Sequence, residues 1–315
     1  MLAFAGTTEL QFGRRERAFF SSHPGALVLV GRCDLSGFVQ FRHAGQNWVL
    51  DTNDSVANQE ETYKRADKYR RLVCATRKSW LSRLRAAEHA FARRYDRIIN
   101  ISREDHQFFA AAAPEKVRME DTDVVLPANL PPKSSDIDVG FIGGSFIGAV
   151  RSAENLIGLA QRPDMGRLRF CIAGRVCEPL SGRSVPPNIT LAGTVEDSLS
   201  FLRRCRCVVL FANRETGASV KFQESLAAGC VVIANRNAAR FSLARAGETH
   251  LEVETIDDVA RLLRSGVAWE FSPRNLQPHF TRAAFHRRFA AALGWPAQAQ
   301  SLPLAGARQS AECPR

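Results

Sequence analysis

The chain of 315 residues is long enough for two domains of ordinary size, and 45% hydrophobic residues exclude wholesale disorder. Its formal net charge of +11 favours anionic partners, although a solvated basic surface explains the charge equally well. No apolar run approaches the roughly 20 residues that cross a bilayer, and the N-terminus lacks the features of a signal peptide. We therefore expect a cytoplasmic protein, either soluble or peripheral at the inner membrane face.

The eight cysteines show no C-x-x-C spacing, and several lie within apolar runs, as buried free thiols do. A zinc site at Cys205 and Cys207 would need a second ligand pair, which the sequence does not show. We therefore expect reduced thiols in a reducing compartment, and no required metal or other cofactor.

The first part of the chain combines short apolar runs with a long basic segment. Residues 56–97 are helical in character and carry an apolar face. Beside that face, Glu88 is either a buried, paired carboxylate or a residue at the edge of the apolar stripe. Ser102 is expected to cap the start of a further helix. Buried strands are predicted at residues 26–30, 47–50 and 97–101.

The second part follows a proline-rich linker at residues 127–136 and alternates regularly between strands and helices. This alternation predicts βαβ units and a parallel sheet, in which ligands bind beyond the carboxyl ends of the strands. Strands are predicted at residues 138–142, 168–173, 189–193, 207–211 and 230–234, and helical structure at 151–161, 195–204, 220–228 and 255–293. We predict a shortened N-terminal, acceptor-side domain at residues 1–130 and a nucleotide-sugar-binding domain at residues 131–270. A helical segment is predicted at residues 271–296 and a disordered tail at residues 297–315.

Two loops at predicted strand ends carry residue types that bind a phosphate. The first contains Gly143, Gly144 and Ser145, with Arg151 in the helix that follows. Glycines let backbone N–H groups approach a phosphate, and the start of the helix adds positive potential. The spacing is neither that of a dinucleotide-binding loop nor that of a P-loop, so a plain tight turn explains it as well.

The second loop, residues 215–229, begins with Glu215 and leads into a predicted helix. Lys221 falls in the first helical turn, where the charge of a phosphate would accumulate. Glu224 lies further along the helix, where a carboxylate accepts hydrogen bonds from two vicinal ribose hydroxyls. Helix capping with an exposed Lys and Glu is the alternative interpretation. The residues expected to offer their backbone to the ligand are Gly217, Ala218 and Ser219.

Four blocks of sequence resemble the group 1 glycosyltransferases (glycosyltransferase family 4). Residues 217–232 (GASVKFQESLAAGCVV) resemble that family's G-x-x-x-K-x-x-E-A-M-A-A-G-x-P-V-V signature. Three further blocks follow the family's order, at residues 49–54 (VLDTND), 93–105 (RRYDRIINISRED) and 188–197 (NITLAGTVED). The resemblance covers roughly residues 47–240 of the chain.

The resemblance implies an α/β, GT-B-like fold of two Rossmann-like parallel-sheet domains, with the donor bound mainly by the C-terminal one. It implies transfer of a sugar from a nucleotide-diphosphate sugar to a saccharide or lipid-linked acceptor, as in polysaccharide biosynthesis, usually with retention and without an essential metal. Lys221 and Arg151 would stabilise the leaving diphosphate, and Glu224 would hold the ribose.

Some positions depart from the family's pattern. Thr216 stands where the family's E-x7-E pair has its first glutamate, which leaves open whether the adjacent Glu215 substitutes. Asn53 replaces a frequent histidine, and only about 45 residues precede the first block, so we expect a reduced N-terminal domain or a truncated gene. The residues expected on the acceptor side are Asp51, Asn53 and Asp54.

Other functions are weighed against this one. A non-catalytic nucleotide-sugar-binding or assembly partner with a degenerate GT-B fold is the main alternative, which Thr216 favours. An NAD-linked oxidoreductase would need a G-x-G-x-x-G loop, which is missing. Specific nucleic-acid binding would rest on charge alone, without a motif. The basic helix at residues 64–97 faces an acidic acceptor or an acidic membrane surface in one interpretation and solvent in the other.

Overall fold

The described part of the chain folds into two parallel β-sheets with helices packed against them. The computed structural model describes residues 18, 20–31, 39, 41–52, 55–58, 74–122, 124–212 and 219–295. The predicted α/β class, with two Rossmann-like parallel sheets, is confirmed. None of the described helices is long and apolar enough to cross a bilayer.

The N-terminal sheet has four parallel strands, paired in the order of the chain. Its core is apolar and includes Trp48, Leu50 and Tyr95, all fully buried. The strands are β1 (Leu27–Gly31), β2 (Asn47–Asp51), β3 (Arg97–Asn100) and β4 (Val117–Met119), and the helices are α1 (Cys74–Ala92) and α2 (Arg103–Ala110).

The C-terminal sheet has six parallel strands in the order β10-β9-β8-β5-β6-β7. Its central strands are buried on both faces, which is why their sequences are mostly apolar, with Asp138 in β5 as the exception, rather than alternating. The strands are β5 (Ile137–Ile142), β6 (Phe170–Ala173), β7 (Ile189–Gly193), β8 (Cys205–Leu210), β9 (Val231–Ala234) and β10 (Leu251–Glu252). The helices are α3 (Ile147–Ala160), α4 (Ser198–Arg204), α5 (Val220–Ala227), α6 (Ile256–Ser265), α7 (Val267–Glu270) and α8 (Arg282–Leu293).

The last helix, α8, returns to the N-terminal sheet. Ala292 of α8 packs against Val49 of β2 and Ile99 of β3 in a small apolar cluster. On the same helix, Arg288 donates a hydrogen bond to Oε1 of Glu120, the residue that follows β4, at 2.7 Å. The chain therefore crosses between the two sheets twice, once after β4 and once before α8.

Several predicted elements need correction. Residues 255–293 do not form one helical stretch, because Gly266 ends α6 in the left-handed conformation (φ 86°) and an extended segment separates α7 from the 3-10 helix Gln277–Phe280. Helix α4 begins at Ser198 rather than 195, since the carboxylate of Asp197 caps it. Ser102 caps α2 as predicted, and Glu88 is the buried carboxylate of the two alternatives.

Candidate functional site

The candidate site lies at the switch point of the C-terminal sheet. Strand β5 has β8 on one side and β6 on the other, so the connections leave β5 and β8 in opposite directions. A crevice therefore opens beyond the carboxyl ends of these two strands, which is where doubly wound sheets bind nucleotides. The two predicted phosphate loops follow β5 and β8.

Close backbone contacts shape the loop after β5. Gly143 receives a hydrogen bond from the N–H of Val176 and donates its own N–H to Ala173, both at 3.1 Å. A Cβ on Gly143 would lie 3.0 Å from the Phe141 ring and 3.1 Å from the Ala149 Cβ. A side chain at Gly143 would therefore crowd these two neighbours, and Gly144 and Ser145 lead directly into α3.

Gly174, at the end of β6, is a site residue that the sequence analysis missed. Its φ of 92° lies in the region that favours glycine, and a Cβ there would overlap the carbonyl oxygen of Gly143. The turn after β6 thus packs directly on the glycine loop after β5. A glycine immediately after a predicted buried strand was the available signal.

The start of α3 offers backbone N–H groups to the crevice. Phe146 precedes the helix and makes no side-chain capping hydrogen bond. Such a helix start favours an anion, because the first N–H groups lack intrahelical partners. Arg151 is exposed on the next turn. The helix begins at Ile147, so the glycine loop is shorter than predicted.

Ser152 connects the two sides of the crevice, and the sequence analysis missed it as well. Its hydroxyl lies within hydrogen-bond distance of the Gly148 carbonyl (3.0 Å) and of the Phe211 carbonyl just after β8. Next to Phe211, the amide of Asn235 bonds both the N–H and the carbonyl of Ala212, at 3.1 and 2.8 Å. Strand β8 therefore ends at a fixed position relative to α3.

The loop after β8 leads into α5, which carries Lys221 and Glu224, and the structure pairs these two residues with each other. Lys221 Nζ lies 2.7 Å from Glu224 Oε2, one helical turn away, with 38% and 20% of the two side chains exposed. Ser219 precedes the helix and donates its N–H to the carbonyl of Arg240 at 3.4 Å. Lys221, Glu224 and Ser219 are thus placed together, whereas Glu215, Gly217 and Ala218 lie outside the described residues.

The acceptor-side residues follow β2 in the N-terminal sheet. Asp51 ends that strand and is partly buried, while Asn53 and Asp54 lie outside the described residues. The backbone N–H of Ser55 donates a hydrogen bond to the carboxylate of Asp105 at 3.0 Å. Glu88 accepts hydrogen bonds from the Ser55 hydroxyl at 2.9 Å and from two backbone N–H groups, at Val56 and Ala57. Two buried carboxylates therefore hold the segment after β2.

The described cysteines and acidic residues do not form a metal centre. No group of three or more His, Cys, Asp and Glu within the described residues could hold a metal ion. Five cysteines of the C-terminal part are free and buried, namely Cys171, Cys177, Cys205, Cys207 and Cys230, and burial raises the pKa of each of these thiols, to about 12 for Cys230. These thiols stay protonated near neutral pH and act as small apolar groups.

A doubly wound sheet with a crevice at its switch point, facing a second parallel sheet, is the GT-B architecture of glycosyltransferases. Residues 146–265 match the family described as glycosyl transferases, group 1. The match runs from the start of α3 to the end of α6, so this part of the chain is similar to a group 1 glycosyl transferase domain. No curated protein matches the chain by sequence.

Solved structures of the same fold support this class. Anabaena HepE, solved in complex with UDP, is 12% identical with a TM-score of 0.64, covering 89% of this chain and 81% of that one. Sucrose-phosphate synthase from Thermosynechococcus elongatus is 14% identical with a TM-score of 0.58, covering 90% and 73%. The lipopolysaccharide outer core galactosyltransferase WaaB is 11% identical with a TM-score of 0.58, covering 89% and 78%. At these identities, the likeness concerns the fold.

Proposed function

We propose that the chain transfers a sugar from a nucleotide-diphosphate sugar to a saccharide or lipid-linked acceptor, with retention at the anomeric carbon. The observation that carries the proposal is the pair of Lys221 and Glu224 at the start of α5, beyond the carboxyl end of β8. The family match and the structural neighbour HepE, solved with UDP and with UDP-glucose, support the donor class.

The pair of charges suits the two polar parts of such a donor. A pair of opposite charges one turn apart on a helix contributes about 0.2–0.5 kcal/mol, and this pair is still partly open to solvent, so a diphosphate can compete for the ammonium of Lys221. When Lys221 binds the diphosphate instead of Glu224, the carboxylate of Glu224 can accept hydrogen bonds from the vicinal hydroxyls of the ribose. One helical turn thus recognises both the charge and the sugar of the nucleotide.

The same cation serves the chemical step. The bond between the anomeric carbon and the diphosphate oxygen breaks, and its electron pair stays on the diphosphate. The acceptor oxygen bonds to that carbon and gives up its proton, which the departing diphosphate takes up. Negative charge therefore grows on the diphosphate, where Lys221, Arg151 and the first N–H groups of α3 stabilise it.

On the acceptor side, we propose that Asp51, Asn53 and Asp54 line the path of the incoming hydroxyl. They follow β2 at the carboxyl edge of the N-terminal sheet. In support, Asp51 ends β2, and the buried carboxylates Glu88 and Asp105 anchor the chain that follows.

Titration calorimetry tests the donor roles. Lys221→Ala should weaken binding of the preferred nucleoside diphosphate, UDP or GDP, about tenfold or more, because a charge-assisted contact contributes ~1.5–3 kcal/mol. It should leave binding of the free nucleoside unchanged, whereas Glu224→Ala should weaken both. Arg261→Ala is the matched control, since it removes the cation of a similar pair with Asp258 on α6.

The outcomes separate the alternatives. Binding of NAD without binding of any nucleoside diphosphate would refute the proposal. If a nucleoside diphosphate binds with the expected variant pattern but no common donor is hydrolysed or transferred, the non-catalytic alternative is favoured instead. If Lys221→Ala and Glu224→Ala both hydrolyse a donor at the wild-type rate, the roles given to these residues are wrong.

A further inference from the structure

The segment that leaves the N-terminal sheet after β4 places a carboxylate against the C-terminal part of the chain. Oδ2 of Asp121 accepts hydrogen bonds from the Ser242 hydroxyl and from Nε2 of His279, each at 2.9 Å. Ser242 lies in the β9–β10 loop (residues 235–250), and His279 lies in the 3-10 helix Gln277–Phe280. Only 9% of the Asp121 side chain is exposed. One buried carboxylate therefore connects the end of β4 to two separate elements of the C-terminal part.

The β9–β10 loop contacts the start of α5, the helix of the proposed donor pair. The N–H of Ser219, the residue before α5, donates to the carbonyl of Arg240 at 3.4 Å. The next residue of the loop, Phe241, contacts Phe222 of α5, with 6.5 Å between the ring centroids. Ser242 follows directly in the chain. The residue that bonds the buried carboxylate is therefore next to the part of the loop that contacts α5.

His279 contacts the same loop through its ring. The His279 and Phe241 rings meet nearly edge-on at 5.7 Å, and the neighbouring Phe280 stacks on Phe241 at 5.8 Å. Phe280 is fully buried, so these rings belong to the core of the C-terminal part. Both residues that bond Asp121 are thus neighbours of Phe241, one in the chain and one through its ring. The carboxylate therefore fixes the position of Phe241 from two directions.

The first turn of α5 depends on contacts from outside the helix. Ser219 makes no side-chain capping hydrogen bond within the described residues, so the helix start is not held by its own cap. The β9–β10 loop supplies the external contacts. Groups that are already in place bind a ligand more tightly, because ordering them on binding costs free energy. A residue that holds this loop therefore affects how well the first turn of α5 is prepared for a ligand.

We propose that Asp121 is a positioning residue for the donor. Through Ser242 and His279 it holds the β9–β10 loop against the start of α5, and it thereby keeps Lys221 and Glu224 in place for the nucleoside diphosphate. This inference rests on the proposed donor roles of Lys221 and Glu224, because Asp121 acts on the ligand only through α5.

Two variants of Asp121 separate positioning from charge, in titration calorimetry with the preferred nucleoside diphosphate, UDP or GDP. Asp121→Ala removes the charge and both hydrogen bonds, and it should weaken binding about three- to tenfold. Asp121→Asn removes the same charge but keeps an oxygen that can accept from both donors, so its affinity should stay closer to that of the wild type. An effect of charge alone predicts the opposite, namely tighter binding of the anion in both variants.

Ser242→Ala and Asp138→Ala complete the comparison. Ser242→Ala removes one of the two donors and no charge, and it should weaken binding in the same direction as Asp121→Ala. Asp138 provides the matched control, because its side chain is about as buried (10% exposed) and accepts the N–H of Arg169 at 2.9 Å. It lies at the amino end of β5, away from the crevice. Asp138→Ala should therefore lose stability and keep the nucleotide affinity of the wild type.

Thermal unfolding shows which variants are folded, and Ser242→Ala decides the question if Asp121→Ala is not. Unchanged or tighter nucleotide binding in the folded variants of Asp121 and Ser242 would overturn the inference. Equal weakening in Asp138→Ala would overturn it as well, since affinity would then follow overall stability. Failure of the wild type to bind UDP or GDP would instead overturn the proposed function.

Discussion

Gly174→Ala tests how closely the two loops of the donor crevice approach each other. Gly174 has φ 92° and ψ −176°, in a region that is essentially restricted to glycine. A Cβ at this position would overlap the carbonyl oxygen of Gly143, in the loop that leads into α3. The substitution therefore strains the backbone at Gly174 and displaces the backbone of Gly143, which is expected to face the diphosphate.

The size of the effect follows from these two contributions. The unfavourable conformation costs about 1–3 kcal/mol, and forcing an atom into a packed site costs about 1–3 kcal/mol more. Gly182 provides the matched control, because it has φ 80° but no atom within 4 Å of an added Cβ. Gly182→Ala should therefore cost only the conformational part, about 1–2 kcal/mol.

Urea unfolding and titration with the preferred nucleoside diphosphate measure both effects. We expect Gly174→Ala to be ~1–3 kcal/mol less stable than Gly182→Ala, and to bind the nucleotide more weakly. Gly182→Ala should bind it as the wild type does. Equal losses of stability in the two variants, with unchanged nucleotide affinity in both, would refute the close approach of the two loops.

Two other predictions concern buried polar groups. Ser152→Ala removes the hydroxyl that bonds the carbonyls of Gly148 and Phe211 and should cost about 1–3 kcal/mol in urea unfolding, whereas Ser265→Ala, at an exposed site, should stay within about 0.5 kcal/mol of the wild type. Burial holds the pKa of His250 below 6.5, so its contribution to stability is intact above about pH 6.5 and falls as the unfolded chain takes up the proton, by at most about 1.4 kcal/mol per pH unit. His250→Gln should therefore flatten the dependence of unfolding free energy on pH between 7 and 5.5, and parallel slopes for the variant and the wild type would contradict this.

The central strands of the C-terminal sheet could be predicted because burial on both faces leaves a strong mark in the sequence. β5 and β6 are fully buried and consist almost entirely of apolar residues between polar turns. Their alternation with helices indicated parallel pairing, which the structure confirms. The helix cap at Ser102 acts over only three residues, so it too could be recognised from the chain itself.

Short elements at the edges escaped prediction because tertiary contacts determine them. β4 has three residues and β10 has two, each too short for a periodic pattern, and both form by pairing with a neighbouring strand. The break of the helical stretch at Gly266 was also missed. A glycine inside a helical pattern is compatible with a helix, and only the left-handed conformation found here ends α6.

The residues of the candidate site also fall into two groups, those that a local sequence pattern indicates and those that depend on tertiary contacts. Gly143, Lys221 and Glu224 could be found from the sequence because each has a recognisable residue type at a fixed distance from a strand or helix start. Gly174 and Ser152 could not, since each acts on a segment that is distant in the chain: Gly174 on the loop after β5, and Ser152 on the end of β8. Their roles depend on which strands are neighbours in the sheet, which local spacing does not encode.

Thr122, three residues after β4, connects the N-terminal sheet to helix α5. Its hydroxyl lies 2.9 Å from Oε1 of Gln223, which is fully buried on α5 between Lys221 and Glu224. The Nε2 of Gln223 has no hydrogen-bond partner within the described residues. The bond from Thr122 is therefore the one side-chain hydrogen bond of Gln223 within the described residues, and it links the segment that leaves one sheet to the helix proposed to bind the donor on the other.

Thr122→Val keeps the shape of the side chain and removes the donor hydrogen, so it leaves the buried amide of Gln223 unpaired at a cost of about 1–3 kcal/mol. Thr122→Ser keeps the hydroxyl and loses one methyl group, which costs about 1 kcal/mol. We expect weaker nucleoside diphosphate binding in Thr122→Val than in Thr122→Ser, since only the first releases α5. If nucleotide affinity is equal in the two variants, the packing of Phe222 and Leu226 in the core holds α5 by itself, and the two sheets are not coupled through Thr122.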